Sequence, residues 1–179
     1  SMNQNEFQAI VEKHTDFVYN VAYRMMNDAQ DAQDVTQETF LSAYRSWPSF
    51  RGGSSVSTWL YRIAVNACLM RLRKEKRGRA STETASDSMD VIDRAVDPSP
   101  AGNPEGIAIN SELREEMGRA IASLPPDLRA AVVLRDIQEL SNAEASDALG
   151  ITVSSFKARL HRGRVLLREH LGEYLKTLR

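Results

Sequence analysis

The segment SNAEASDALGITVSSFKARLHRGR, residues 141–164, decides the fold class. Its first four residues have capping-box spacing: Ser141 offers a hydroxyl to the amide three residues on, and Glu144 reaches back. A short helix follows, with Ala145, Ala148 and Leu149 inward, and Gly150 supplies the left-handed residue that closes it. Thr152 caps the next helix, whose apolar stripe is Val153, Phe156, Leu160, Val165 and Leu166. Helix, tight glycine turn and helix together predict a helix-turn-helix. Ala145 and Ser146 are small where a larger apolar residue followed by alanine is expected, and the bulky Phe156 opposite compensates in volume.

In such a motif the second helix enters the major groove with its N-terminal residues against base edges. The outward positions here are Ser154, Ser155, Lys157, Ala158, His161, Arg162 and Arg164. The serines donate or accept, the cations reach guanine O6 and N7 or phosphates, and Ala158 meets a thymine methyl. A plain helical hairpin with a charged outer face is the competing reading. The coincidence of cap, glycine and basic face favours DNA.

Working outward, Pro125-Pro126-Asp127 opens a helix with Leu128, Ala131, Val132 and Ile137 inward, and Asn103-Pro104-Glu105 opens the one before it. From about Gly78 to Gly102, Ser, Thr, Asp, Pro and Gly dominate without a period, which reads as a flexible acidic linker. Before it lies a helix that Ser57 or Thr58 is expected to cap, apolar almost all round at Trp59, Leu60, Tyr61, Ile63, Ala64 and Val65. Residues 49–55 form a loop after Pro48. A helix from about Asp31 to Trp47 turns Val35, Thr39, Phe40, Ala43, Tyr44 and Trp47 inward, and Asp34, Gln37, Glu38 and Arg45 outward. The first helix carries the stripe Phe7, Ile10, Val11, Phe17, Val18, Val21, Ala22 and Met25, and Asn27-Asp28 ends it. The expectation is an all-α chain of two small helical domains, 2–77 and 103–179, joined by a flexible acidic linker over 78–102, the second domain containing the helix-turn-helix.

Charge sharpens this picture. The net charge is only −1 over 179 residues, but it is segregated. Arg62, Arg71, Arg73, Lys74, Lys76, Arg77 and Arg79 face Glu75 alone, and the last helix carries a second basic run. Between them lie Glu83, Asp87, Asp90, Asp93 and Asp97. Two basic patches flanking an acidic connector suggest two contacts with a polyanion. The lone Cys68, in an apolar helical stretch, reads as a buried thiol. Three scattered histidines make a structural metal site improbable, and no cofactor motif is present. No apolar run reaches the roughly 20 residues that span a bilayer. The start shows no basic-then-apolar leader, so the chain is expected to be cytoplasmic.

Two stretches carry a family resemblance. DAQDVTQETFLSAYR (31–45), FRG (50–52) and TWLYRIAVN (58–66) closely resemble the first domain of extracytoplasmic-function (ECF, group IV) RNA polymerase sigma factors. LPPDLR (124–129), Leu134-Arg135 and the helix-turn-helix resemble the second, with the sigma-E-like members nearest. The resemblance implies that Asp31, Asp34, Gln37 and Glu38 dock on core RNA polymerase. It implies that the loop Arg51, Gly52, Gly53, Ser54, Ser55, Val56 and Ser57 holds a flipped base of the −10 element, and that Asn66 reads its upstream edge. It further implies that the last helix reads the −35 element, that the linker threads the polymerase interior, and that an anti-sigma protein is a partner. The loop suits its part physically, because the two glycines allow close backbone approach and the serines offer hydroxyls. It lacks stacking aromatics, which implies weaker intrinsic melting and a narrower set of promoters.

Two other classes compete. A conventional helix-turn-helix regulator explains the C-terminal half, but leaves the acidic helix and the Gly-Ser loop without a role, and it normally needs a dimer. An enzyme needs a nucleophile with a base, a phosphate-cradling loop or a metal cluster. Gly52-Gly53 has no following Gly-Lys-Ser/Thr, and Asp31, Asp34 and Glu38 at helical spacing suit a docking face better than a cation. The expectation is that the chain is not an enzyme.

Overall fold

In the computed structural model, residues 3–50, 52–81 and 104–178 are described, and their regular structure is entirely helical. Helix α1 spans Gln4–Met26, α2 Ala29–Ser46, α3 Val56–Ser81, α4 Pro104–Ser123, α5 Pro126–Val132, α6 Asn142–Leu149 and α7 Val153–Thr177. A 3-10 turn, Trp47–Ser49, follows α2, and a π turn, Val133–Ile137, follows α5. Helices α1–α3 form one bundle and α4–α7 a second. The linker expected over 78–102 lies outside the described residues from 82 onward, and α3 continues through Ser81.

Local chemistry places most helix ends. Asn3 and Glu6 form a capping box at the start of α1, and Asn27 closes that helix in the left-handed region at φ 52°. Asp28 caps α2 through the Asp31 amide at 2.8 Å. The cap of α3 is Ser55, not Ser57 or Thr58: its hydroxyl accepts from the Thr58 amide at 3.1 Å, and its carbonyl takes the first helical bond from Trp59. The expected residues already lie inside the first turn, and Thr58 is buried.

The apolar stripes are inward with exceptions at their edges. Val18, Val21, Ala22 and Met25 of α1 pack with Val35, Leu60, Val65 and Cys68, all at 0–1% exposure. Phe17 and Tyr44, expected inward, are each 52% exposed, as are Val153 and Leu166 in part. Each lies at the margin of its stripe, where the 100° step carries a residue past the partner helix. Tyr44 instead meets Phe7 edge-on, with ring centroids 5.1 Å apart.

One continuous apolar core joins the two bundles. It runs from Met25 and Val65 through Cys68 to Ala130, Leu134, Ala145 and Phe156. Arg129 crosses it. This side chain is 7% exposed and donates to the Met25 carbonyl at the end of α1, and to the Ala122 and Leu124 carbonyls at 2.6 and 3.0 Å. A buried guanidinium is costly where its donors are unmet, and here Nη1 and Nη2 are bonded while Nε is buried without a partner among the described residues. Here it satisfies carbonyls that two helix ends leave without intrahelical partners. Burial holds its pKa below the ordinary arginine value.

Candidate polymerase and nucleic-acid interfaces

The helix-turn-helix is built as its residues dictate. Ser141 accepts from the Glu144 amide at 3.1 Å, and the Glu144 carboxylate takes the Ser141 amide at 3.2 Å. Gly150 sits at φ +66°, a conformation that L side chains rarely adopt. Thr152 accepts from the Ser155 amide at 3.1 Å. Phe156 is fully buried against the small α6 residues Ala145, Ser146 and Ala148, as the volume argument requires. Ser154, Ser155, Lys157, Ala158, His161 and Arg162 are all exposed on one side of α7. Arg164 is set apart: its guanidinium is gripped by Asp136 through two bonds, of 2.9 and 2.5 Å, and that hydrogen bond raises its pKa. The bidentate pair anchors α7 to the π turn, which leaves this cation less free than its neighbours to reach a phosphate.

In the first bundle, Asp31, Asp34 and Glu38 line one side of α2, and all three converge on Arg71 of α3. Its guanidinium lies 2.5 Å from Glu38, 3.8 Å from Asp31 and 4.0 Å from Asp34. The Glu38 hydrogen bond raises the Arg71 pKa, while burial and Asp28 raise that of Asp31. The three carboxylates thus gather round a guanidinium, not round space for a cation. With Gln37 exposed beside them, the face keeps a surplus of negative charge. Arg71 was read in the sequence only as one member of a basic run. A helix gives no sign of which cation its neighbour will aim at its acids.

Among the loop residues, Arg51 lies outside those described. Gly52 adopts φ +72° and, like Gly53, has open space where a Cβ would stand. Ser54, Val56 and Ser57 are half-buried, and Ser57 Oγ lies 3.5 Å from Nδ1 of the buried His14, tying the end of the loop to α1. Burial, then Lys13, holds the His14 pKa below its usual value. The loop itself has no aromatic residue, as read, but its flanks do. Trp47, Phe50 and Trp59 form a cluster with centroids 4.9–5.8 Å apart at its base. The three rings are separated in sequence by the turn and loop, so only the folded loop brings them together. Asn66 is exposed on α3, one turn beyond Arg62.

Comparison with known proteins accounts for this pairing of an acidic helix with a helix-turn-helix. Residues 10–78 match the family model of sigma-70 region 2, and residues 114–167 match that of sigma-70 region 4. The chain is 35% identical over 177 residues to the ECF RNA polymerase sigma factor SigW of Bacillus subtilis, covering 96% of this chain and 91% of that one. The chain belongs to the ECF RNA polymerase sigma factors. Its class of function is therefore the direction of RNA polymerase to promoters. It is also 40% identical over 165 residues to SigE of Mycolicibacterium smegmatis, covering 92% of this sigma factor but 61% of that relative's length. Among solved structures, RpoE of Bartonella quintana in complex with the anti-sigma factor NepR aligns with a TM-score of 0.71 at 23% identity, over 93% of this chain and 97% of that one. That likeness concerns the fold. Among the described residues, no helix is long and apolar enough to cross a membrane.

Proposed function

We propose that this sigma factor divides its work between two domains, 2–77 and 103–179, joined by a linker over 78–102. The face of Asp31, Asp34, Gln37 and Glu38 docks on a basic surface of core RNA polymerase. The loop from Arg51 to Ser57, together with Asn66, captures the −10 strand as it opens. Ser154, Ser155, Lys157, Ala158, His161, Arg162 and Arg164 hold the −35 duplex. The aromatic cluster of Trp47, Phe50 and Trp59 gives the loop a rigid footing next to an unstacked base. The chain carries no catalysis of its own, since that belongs to the polymerase, and it works in the cytoplasm. An anti-sigma protein restrains it, as NepR is bound to RpoE in the solved complex.

The observation that carries this reading is the presence, in one chain, of an exposed acidic helix face and a capped helix-turn-helix whose outer side is free. A conventional regulator has no use for the first. Co-purification with core RNA polymerase tests it. The parent chain is expected to bind, and the double change Asp34→Ala, Glu38→Ala to weaken binding at least ten-fold, while Arg162→Ala weakens promoter binding alone. A folded, monomeric chain that fails to bind core would overturn the proposal.

A further inference from the structure

Arg164 differs from the other cations on the outer face of α7. Lys157 and Arg162 are exposed and, among the described residues, have no ion-pair partner. Arg164 is fixed at both ends. The residue before it, Gly163, lies so close to α5 that a Cβ there would stand 2.8 Å from Val132 Cγ2 and 3.2 Å from the Leu128 carbonyl oxygen. The backbone therefore has no room to shift towards α5. At the other end the guanidinium is held by Asp136, with Nε 2.9 Å and Nη2 2.5 Å from the two carboxylate oxygens.

The holder is itself held. Asp136 lies in the π turn, a local widening of a helix that recurs at functional sites. Two backbone bonds of 3.0 Å close that turn, from the Gln138 amide to the Val133 carbonyl and from the Leu140 amide to the Leu134 carbonyl. Glu139 then leaves it in the left-handed region at φ 58°. Arg135 Nε donates to Asn142 at the start of α6 at 3.2 Å, and Val133 and Leu134 are fully buried. A carboxylate on such a base is preorganised, and so is the planar fork that it grips.

Arginine has five N–H donors in one plane. Asp136 takes one from Nε and one from Nη2, which leaves both donors of Nη1 and the second of Nη2 on a side chain that is still 41% exposed. Arg164 stands about 16 Å along α7 from Val153, at about 1.5 Å per residue. That is past the N-terminal turns that meet base edges, so the natural target of its outer donors is a phosphate. Phosphate contacts carry no sequence of their own; they set register and orientation. A fixed fork serves register, whereas a free cation serves any phosphate within reach. We propose that Asp136 is a positioning residue for −35 recognition: by clamping Arg164 it fixes the phosphate which that guanidinium meets, and with it the register of α7 in the groove. Its negative charge also keeps the same arginine from holding duplex of any sequence. This role rests on the reading of α7 given above, and Asp136 itself touches no DNA.

Holoenzyme made with the full chain tests this. One probe is a promoter selected from a random duplex library by holoenzyme of the unmodified chain, and the other is the same duplex with its −35 element scrambled. Both are titrated over a range of salt. For Asp136→Asn the ratio of selected to scrambled affinity is expected to fall about five-fold or more, because the scrambled duplex is bound more tightly, with a salt dependence steeper by up to about 0.9 in log–log slope. With Arg164→Gln already in place, Asp136→Asn is expected to change the ratio by less than about two-fold. The paired exchange Asp136→Arg, Arg164→Asp separates positioning from packing. It re-forms the ion pair and is expected to restore the thermal midpoint, but with the fork moved to the π turn the ratio is expected to stay low. An unchanged ratio in Asp136→Asn, an equal fall in the Arg164→Gln background, or recovery of the ratio in the exchange would overturn the inference. So would a fall with no gain in scrambled affinity and no change of slope, which marks a displaced helix and not a released cation. A holoenzyme of the unmodified chain that selects no −35 element strikes the proposed function first, so the two failures are distinguishable.

Discussion

Gly163→Ala should destabilise this protein, although it replaces the poorest ordinary helix former by the best in the middle of a 25-residue helix. Helix propensity alone predicts a gain of about 1 kcal/mol. The structure opposes it, because a Cβ at this position would stand 2.8 Å from Val132 Cγ2 and 3.2 Å from the Leu128 carbonyl oxygen of α5. Val132 is 1% exposed and β-branched, so it has no empty rotamer to retreat into, and the carbonyl belongs to a helix backbone. Forcing a methyl group into a packed core costs about 1–3 kcal/mol. The sum is a net loss of about 0–2 kcal/mol. Gly172, nine residues on in the same helix, provides the internal control, since nothing lies within 4 Å of its Cβ position. There the propensity gain of about 1 kcal/mol should appear unopposed. Thermal unfolding of the two variants should therefore shift in opposite directions, or differ by about 1–3 kcal/mol, with about 2–4 °C in midpoint for each kcal/mol. The reasoning fails if Gly163→Ala stabilises as much as Gly172→Ala does. That result would mean α5 and α7 can move apart at no cost, and that the tight crossing does not position the recognition helix.

Arg129→Met, which keeps most of the volume, should cost about 2–4 kcal/mol in unfolding experiments, because the carbonyls of Met25, Ala122 and Leu124 lose a charged donor; a cost below about 1 kcal/mol would show that water replaces it freely. Acid should weaken the α4–α7 tie. Glu116 bonds Arg119 at 2.7 Å and His170 at 3.0 Å, and the Arg119 hydrogen bond, before His170, holds its pKa below the ordinary carboxylate value. A carboxyl depressed in the fold contributes stability that is present above its unfolded pKa, about 4.3, and is lost as pH falls through the lower folded value. Stability measured from pH 7 downward should fall in that window, and Glu116→Gln should flatten the fall; an unchanged profile would refute the assignment.

Much of the architecture is legible in the residues because it is local. Ser141 with Glu144, Gly150 and Thr152 sit at helix ends whose unpaired amides and carbonyls must be met within a few residues of chain, and the structure meets them there. The small-large match of Ala145 and Phe156 is also readable, since volume is a property of composition. The acidic face of α2 and the outer face of α7 follow from the 100° step of the helix. The cap of α3 was misplaced because Ser54, Ser55, Ser57 and Thr58 are all competent, and only the path of the loop selects Ser55. Phe17 and Tyr44 were placed inward because a stripe marks a direction and not the width of the partner that will cover it.

What the sequence by itself determined is therefore the set of helices, the caps of the helix-turn-helix, that motif itself and the family, through interactions that span a few residues or motifs that lie along the chain. What only the tertiary structure decided is which side chains meet across long separations. Arg71 turns to Asp31, Asp34 and Glu38, and Trp47, Phe50 and Trp59 close under the loop. Arg129 bridges to Met25, 104 residues away in the chain. The physical reason is that periodicity specifies a face but not its partner. A basic residue in a helix is written the same way whether it meets water, a phosphate, an acid on the next helix or the carbonyls of another domain, and the choice is made when the helices pack.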